Sequence, residues 1–212
     1  MNVVRFFSVG NADRIFEPYR EMDNMSREDA ASLLKHFLVF FNVGDRSWAI
    51  SQNLLISGRD INGADLTNLT SYALMDAYFD MNLPQPILSV KLHKNTPDEL
   101  YKELGRFFFT PGCLTPSLFN DDSLFKVLPA AGVDIDDVAD TSIAGCQEPL
   151  IMGKDNANTT NSWFNLAKIL ELTLNDGKSL ITGDEIGTVC ESTDALDLLK
   201  NIRERFYKNA QY

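Results

Sequence analysis

The sequence predicts an α/β protein built on parallel strands, and three observations carry that prediction. Short runs rich in branched residues lead directly into capped helices, as where Ile87 to His93 is followed by Thr96-Pro97-Asp98-Glu99. The connections between these pieces are a few residues long. The strand and helix patterns also alternate along the chain, which is what parallel strands joined by crossover helices require. With 212 residues, 44% hydrophobic and 23% charged, the chain has the composition of a globular protein with a sizeable core.

The elements follow in order. Ser26 with Asp29 forms a capping signature, and Ala30, Leu33, Leu34, Phe37, Leu38 and Phe41 recur at helical spacing up to Gly44. His36 lies beside that stripe, on the helix surface. Trp48 to Ile56 reads as a strand, ended by the turn-rich run from Ser57 to Asp65. The acids of that run resemble a calcium loop, but no glutamate stands at the twelfth position such a loop needs. Thr67 or Asn68 caps a helix through about Asp80, and Pro84-Gln85-Pro86 breaks it. Ile87 to His93 alternates as a strand. His93 closes it where an α/β protein carries functional residues, although a hydrogen bond to the turn below is the plainer account. Thr96 as N-cap, Pro97 at the first position and Glu99 start a helix to about Arg106. Ser117 to Asp121 is the next strand, Asp121 or Asp122 opens a helix ending near Gly132, and a short acidic helix spans Ile135 to Ala139.

The stretch from Thr141 to Pro149 is the chemical focus. Branched and small residues run into Gly145-Cys146 and stop at Pro149, which cannot donate to a ladder, so the piece reads as a buried strand running out into a loop. On one strand Cys146 and Glu148 share a face, roughly 6–7 Å apart, and present a sulfur and a carboxylate to one small molecule. Gly145 leaves room for a ligand near the sulfur. The plainer alternative is a buried, inert thiol, but a glutamate on an inner face is costly unless something pairs with it or uses it. Beyond it, Gly153 to Asn161 is polar, and a helix carries Trp163, Phe164, Leu166, Leu170 and Leu174 before Asn175-Asp176-Gly177. Hydroxyls of Thr159 and Thr160 at its start reach toward a substrate beside Cys146, with capping the alternative role for one of them. A glycine-bearing loop from Gly183 to Cys190 and a last helix to Lys208 complete the chain. There is no internal repeat and no linker dividing it, so one domain is expected.

A net charge of −11 disfavours nucleic acid and anionic membrane as partners. The basic residues Lys200, Arg203, Arg205 and Lys208 read as a solvated helix face. Three cysteines, Cys113, Cys146 and Cys190, are odd in number and never in a C-x-x-C spacing, so neither a disulfide framework nor a metal site is expected. No apolar run spans a bilayer and the first residues lack a secretory signal, which makes the cytoplasm the default compartment.

Several stretches together resemble the glycyl radical enzymes, the family that includes pyruvate formate-lyase and the radical dehydratases and lyases. The pieces are Gln52-Asn53, Gly58 with Asp60, Thr67-Asn68, Leu83-Pro84-Gln85-Pro86, His93-Lys94-Asn95-Thr96-Pro97, Phe119-Asn120-Asp121, Gly145-Cys146-Gln147-Glu148-Pro149, Leu170-Glu171-Leu172 and Asn175-Asp176-Gly177, with Thr182-Gly183 and Ile186-Gly187 behind them. They span roughly residues 30 to 208 in the family's order.

The resemblance implies a ten-stranded β/α barrel, incomplete in this chain, with residues 1–212 forming part of the barrel domain. It implies a thiyl radical at Cys146 and, in the dehydratase and lyase branch, Glu148 as general base on the substrate hydroxyl. Thr159, Thr160 and His93 are the expected substrate-binding residues. The organic radical would come from a C-terminal glycine loop, installed by a radical-SAM activating enzyme, with no cofactor bound to this chain itself. Members are often homodimeric.

Two departures bear on function. Pyruvate formate-lyase carries two adjacent cysteines, whereas glycine precedes Cys146, which disfavours formate C-acetyltransferase-type acyl transfer. None of the twelve glycines lies in an Arg-Val-x-Gly-Tyr-like stretch, so the C-terminal radical domain is expected to be absent here and the chain inactive alone, whether from a truncated gene or as one part of a split enzyme. The expected function is therefore thiyl-radical elimination, by dehydration or C–N or C–S lysis, on a small polar substrate. A non-catalytic binding or remnant domain, and a conventional cysteine nucleophile with His93 as its base, are the alternatives.

Overall fold

The computed structural model describes residues 7–43, 52–155 and 165–185, together with Glu204. The chain forms two compact units, Met1–Thr159 and Thr160–Tyr212.

In the first unit four strands, β1 (Phe7–Asn11), β2 (Gln52–Ser57), β3 (Ile87–Leu92) and β4 (Ser117–Asn120), form one sheet in that order, every neighbouring pair parallel. The connections hold α1 (Ala12–Met22) and α2 (Arg27–Phe40) after β1, α3 (Leu69–Met81) after β2 and α4 (Asp98–Phe109) after β3. This is the α/β construction expected from the strand and helix alternation. After β4 come α5 (Asp121–Ala130), α6 (Ile135–Val138) and an antiparallel hairpin of β5 (Thr141–Ala144) and β6 (Glu148–Ile151).

The caps explain where the helices begin. Ser26 accepts from the Asp29 N–H at 3.1 Å. Asn68 and Ser71 form a reciprocal capping box at α3, and Asn120 caps α5. At α4 the boundary differs by one residue from expectation: Pro97 itself is the N-cap. The Thr96 hydroxyl instead accepts from the His93 N–H at 2.8 Å, closing the turn out of β3.

Side-chain alternation splits the sheet into two faces. Leu54, Ile56, Leu88 and Val90 point to one core with Leu34, Leu38, Leu74, Met75, Leu100, Leu104 and Phe107 from the helices. Burial of each of these large side chains contributes roughly 1.5–3 kcal/mol. An ionic lattice ties α2, α3 and α4 outside that core. Arg27 pairs with Asp76 through two hydrogen bonds and reaches Glu103 at 3.1 Å, and Arg106 meets both acids at 2.8 and 2.9 Å.

The other sheet face carries Asn53, Leu55 and Ser57 of β2 with Ser89 and Lys91 of β3, all buried. Here β5 packs against β1 and β2, which brings the hairpin to the polar side of the sheet.

In the second unit α7 (Leu166–Leu174) is capped by Asn165 and closed by the turn at Asn175, Asp176 and Gly177. Lys168 bonds Glu171 and the Ser179 hydroxyl, and Glu171 accepts from the Leu180 N–H, which holds the following segment back on the helix. Of the expected last helix, Glu204 is described, as helical; the rest of it lies outside the described residues.

Candidate active site

The site is built on the hairpin. All four residues of β5 are buried. Gly145 then takes φ +60, a left-handed conformation that side chains other than glycine disfavour, and the chain reverses. Cys146 and Gln147 complete a three-residue turn, Ala144 pairs with Glu148, and Pro149 stands opposite Ile143. The sequence reading of one extended strand through Cys146 is therefore corrected. A glycine in the left-handed region before two polar residues makes a turn, and strand alternation stops at Ala144.

Both side chains nonetheless stand at the tip of the hairpin, one in the turn and one at the start of the return strand. Cys146 and Glu148 are both exposed. The Glu148 carboxylate folds back over the turn, where it accepts from the Gln147 N–H at 3.0 Å and lies so close to Gly145 that a Cβ there would collide with it. Gly145 thus serves both the chain reversal and the seat of the carboxylate. Gly145→Ala is expected to cost about 1–2 kcal/mol through the backbone conformation alone, and to expel the carboxylate from its place. Urea unfolding and a crystal structure of the variant check both.

A polar clamp fixes the hairpin base to the ends of β1 and β3. Lys91, fully buried, donates to the Thr141 carbonyl at 3.1 Å and the Ala139 carbonyl at 3.3 Å, and pairs with Asp121, equally buried, at 3.8 Å. Burial pushes the Lys91 ammonium down from the usual lysine range to about 8, against the pull of Asp121. Asn11 also donates to the Thr141 carbonyl, at 3.4 Å, and Arg14 to that of Ala139, at 2.7 Å. On the return strand, Met152 N–H donates to the Asp140 carbonyl at 3.1 Å, and its sulfur accepts from Asn11. A small cavity of about 140 Å³ between β1 and the hairpin is lined by Ser8, Gly10, Ser142, Met152 and Asp155.

Close to Lys91, Asp13 is fully buried. Desolvation raises its carboxyl above the usual range in spite of hydrogen bonds from Ser71, the Ser57 N–H and the Arg14 N–H. Those bonds join the ends of β1 and β2 to the start of α3.

His93 sits at the carboxyl end of β3, buried, with Nε2 at 2.9 Å from Asp65 and Nδ1 accepting from the Asn95 N–H. Its ring is thus held by the 58–65 turn, and the groove beside it, of about 530 Å³, is lined by Tyr101, Leu118, Phe119 and Asp122. Thr159 and Thr160 lie outside the described residues, as does Cys190. Among the described residues no cluster of His, Cys, Asp and Glu could hold a metal ion, and no helix is long and apolar enough to cross a membrane.

Sequence reasoning missed Lys91, Asn11 and Asp121. The available signal was Lys91 itself, a cation in phase with Ser89 within an otherwise apolar strand, which marks a buried face with a polar task.

The family model described as pyruvate formate lyase-like matches residues 2–212. The chain belongs to the pyruvate formate lyase-like family. Across its whole length it is 29% identical to the trans-4-hydroxy-L-proline dehydratase of Clostridioides difficile, 29% of whose length it covers. It is 29% identical over 72% of its length to the (2S)-3-sulfopropanediol dehydratase of Klebsiella oxytoca, covering 18% of that protein. Among solved structures, a glycyl radical enzyme from Archaeoglobus fulgidus superposes with TM-score 0.76 at 30% identity over 96% of this chain and 28% of its own. The hydroxyproline dehydratase from Clostridioides difficile, solved with trans-4-hydroxy-L-proline bound, gives TM-score 0.70 at 26% identity over 97% and 28%. The fold is thus that of the glycyl radical enzymes, and this pyruvate formate lyase-like chain spans less than a third of the length of these relatives.

Proposed function

We propose that this chain supplies the cysteine-bearing part of a glycyl radical enzyme that eliminates water, an amine or a sulfur group from a small polar substrate. The observation that carries the reading is the hairpin tip, where an exposed thiol lies in the three-residue turn and the exposed carboxylate of the first return-strand residue folds back over it. An exposed sulfur at the end of a clamped hairpin suits a hydrogen-atom relay. The activities by which the relatives are named, two dehydratases among them, favour elimination over acyl transfer, and glycine stands directly before Cys146 where acyl transfer would use an adjacent second cysteine.

In this reading the radical-bearing glycine lies outside these 212 residues, which alone do not turn over. A radical-SAM activating enzyme and the remainder of the barrel are the implied partners. A glycyl radical would supply one thing, an acceptor for the hydrogen atom of Cys146 Sγ. The sulfur then takes a hydrogen atom from a substrate carbon, restoring its S–H bond. Glu148 accepts the proton of the substrate hydroxyl on that carbon and hands a proton to the departing group, so that water or an amine leaves neutral and the carboxylate is restored, and the sulfur returns its hydrogen atom to the product carbon. Thr159, Thr160 and His93 are proposed to seat the substrate, His93 from the end of β3 with its ring held by Asp65.

The test is anaerobic turnover of the completed, activated enzyme on hydroxyproline and vicinal diols. Glu148→Gln keeps the shape of the side chain and removes the base, so the rate is expected to fall by about 10²–10⁴-fold while the radical signal persists in electron paramagnetic resonance. An unchanged rate in Glu148→Gln contradicts the assignment.

A further inference from the structure

We propose that Lys91 is a positioning residue: its ammonium, seated on two backbone carbonyls at the hairpin base, sets how far the Cys146 turn projects from the sheet. The inference deepens the reading above, since it matters for chemistry only if Cys146 is the reacting sulfur.

The geometry is that of a built seat. Two of the three ammonium donors go to the carbonyls of Thr141 and Ala139, and the Asp121 carboxylate stands 3.8 Å from Lys91 Nζ as its ion-pair partner, beyond hydrogen-bond reach. Gly58, at φ +101, gives the side chain its room, because a Cβ there would meet Lys91 Cε and the Asp121 carboxylate. Asp121 is held in turn by the Arg59 N–H at 2.7 Å. Three segments therefore converge on one buried charge: the end of β3, the start of α5, and the hairpin.

A buried ion pair is a poor source of stability, since an apolar pair of like volume often serves as well. What an apolar pair lacks is donors for carbonyls. The two carbonyls on Lys91 bracket the entry to β5, and from Thr141 only a buried four-residue strand and Gly145 separate the clamp from Cys146. Fixing the carbonyls fixes the start of a short, stiff lever with the sulfur at its tip.

Hydrogen exchange followed by mass spectrometry on the 212-residue chain tests this. Lys91→Met alone strands the Asp121 charge and is expected to unfold part of the unit. The double variant Lys91→Met/Asp121→Asn removes both charges and keeps both shapes. In the double variant amides of residues 141–152 are expected to exchange at least 10-fold faster, with β2 and β3 protected as in the parent. Leu100→Ala, a core change on α4, should speed exchange across the unit evenly. Hairpin protection unchanged in the double variant, or lost together with the sheet to the same extent, overturns the proposal. Cys146→Ala should leave exchange in the hairpin unaltered, so the clamp is read independently of the sulfur's role, and a failed elimination assay leaves this result standing.

Discussion

Cys146→Ala in the completed enzyme is expected to lower elimination by on the order of 10⁴-fold or more, since a residue through which every turnover passes has no substitute. The glycyl radical signal should persist, because the alanine methyl offers no weak bond to give up a hydrogen atom. Folding should be nearly untouched: Cys146 is exposed at a turn, and surface substitutions of that kind fall within about 0.5 kcal/mol. Loss of turnover with an unchanged unfolding midpoint is the signature that separates a reacting sulfur from a packing one. Retained turnover in Cys146→Ala would place the chemistry elsewhere.

The second large effect is on stability and its dependence on pH. Burial lowers the Lys91 ammonium to about 8, Asp121 opposing and Arg14 adding to the shift, with Asp13 and Asp140 opposing more weakly. The unfolded chain keeps that proton up to the ordinary lysine value of 10.5. Between those values the unfolded state binds more protons than the folded one, so the contribution of Lys91 to stability increases with pH across the window and is flat below it. Between pH 7 and 10 the stability of the parent relative to Lys91→Met/Asp121→Asn is expected to rise by roughly 2–3 kcal/mol. Urea unfolding of both proteins at the two pH values measures it. Subtracting the double variant removes the other titrating groups, notably Tyr78, whose phenol burial raises and which acts with the opposite sign at high pH. The clamp survives the titration, because a neutral amine keeps two donors for its two carbonyls.

Much of the framework was legible in the sequence because it rests on local chemistry. Ser26, Asn68 and Asn120 cap helices through their own side chains, and the alternation from Ile87 to Leu92 marks a strand whatever surrounds it. The first strand and helix, Phe7–Asn11 and Ala12–Met22, were not read, since a five-residue strand holding Gly10, and a helix with Pro18 inside it, carry weak patterns. The reading of Cys146 and Glu148 on one strand face fails at Gly145, where the chain turns. The deciding fact, a positive φ at Gly145 with the carboxylate packed on it, depends on the return strand. Lys91 was invisible as a clamp because its acceptors are backbone carbonyls some fifty residues away, and carbonyls leave no mark in a sequence.

The most direct test of the central claim follows the hydrogen atom itself. Substrate deuterated at the carbon that is attacked, turned over anaerobically by the completed, activated enzyme in ordinary water, should react with a primary kinetic isotope effect and give product in which one deuterium has left that carbon, for the neighbouring carbon or for solvent. Product formed with every deuterium still on its original carbon would show that no hydrogen atom passes from substrate to Cys146, and would contradict the account.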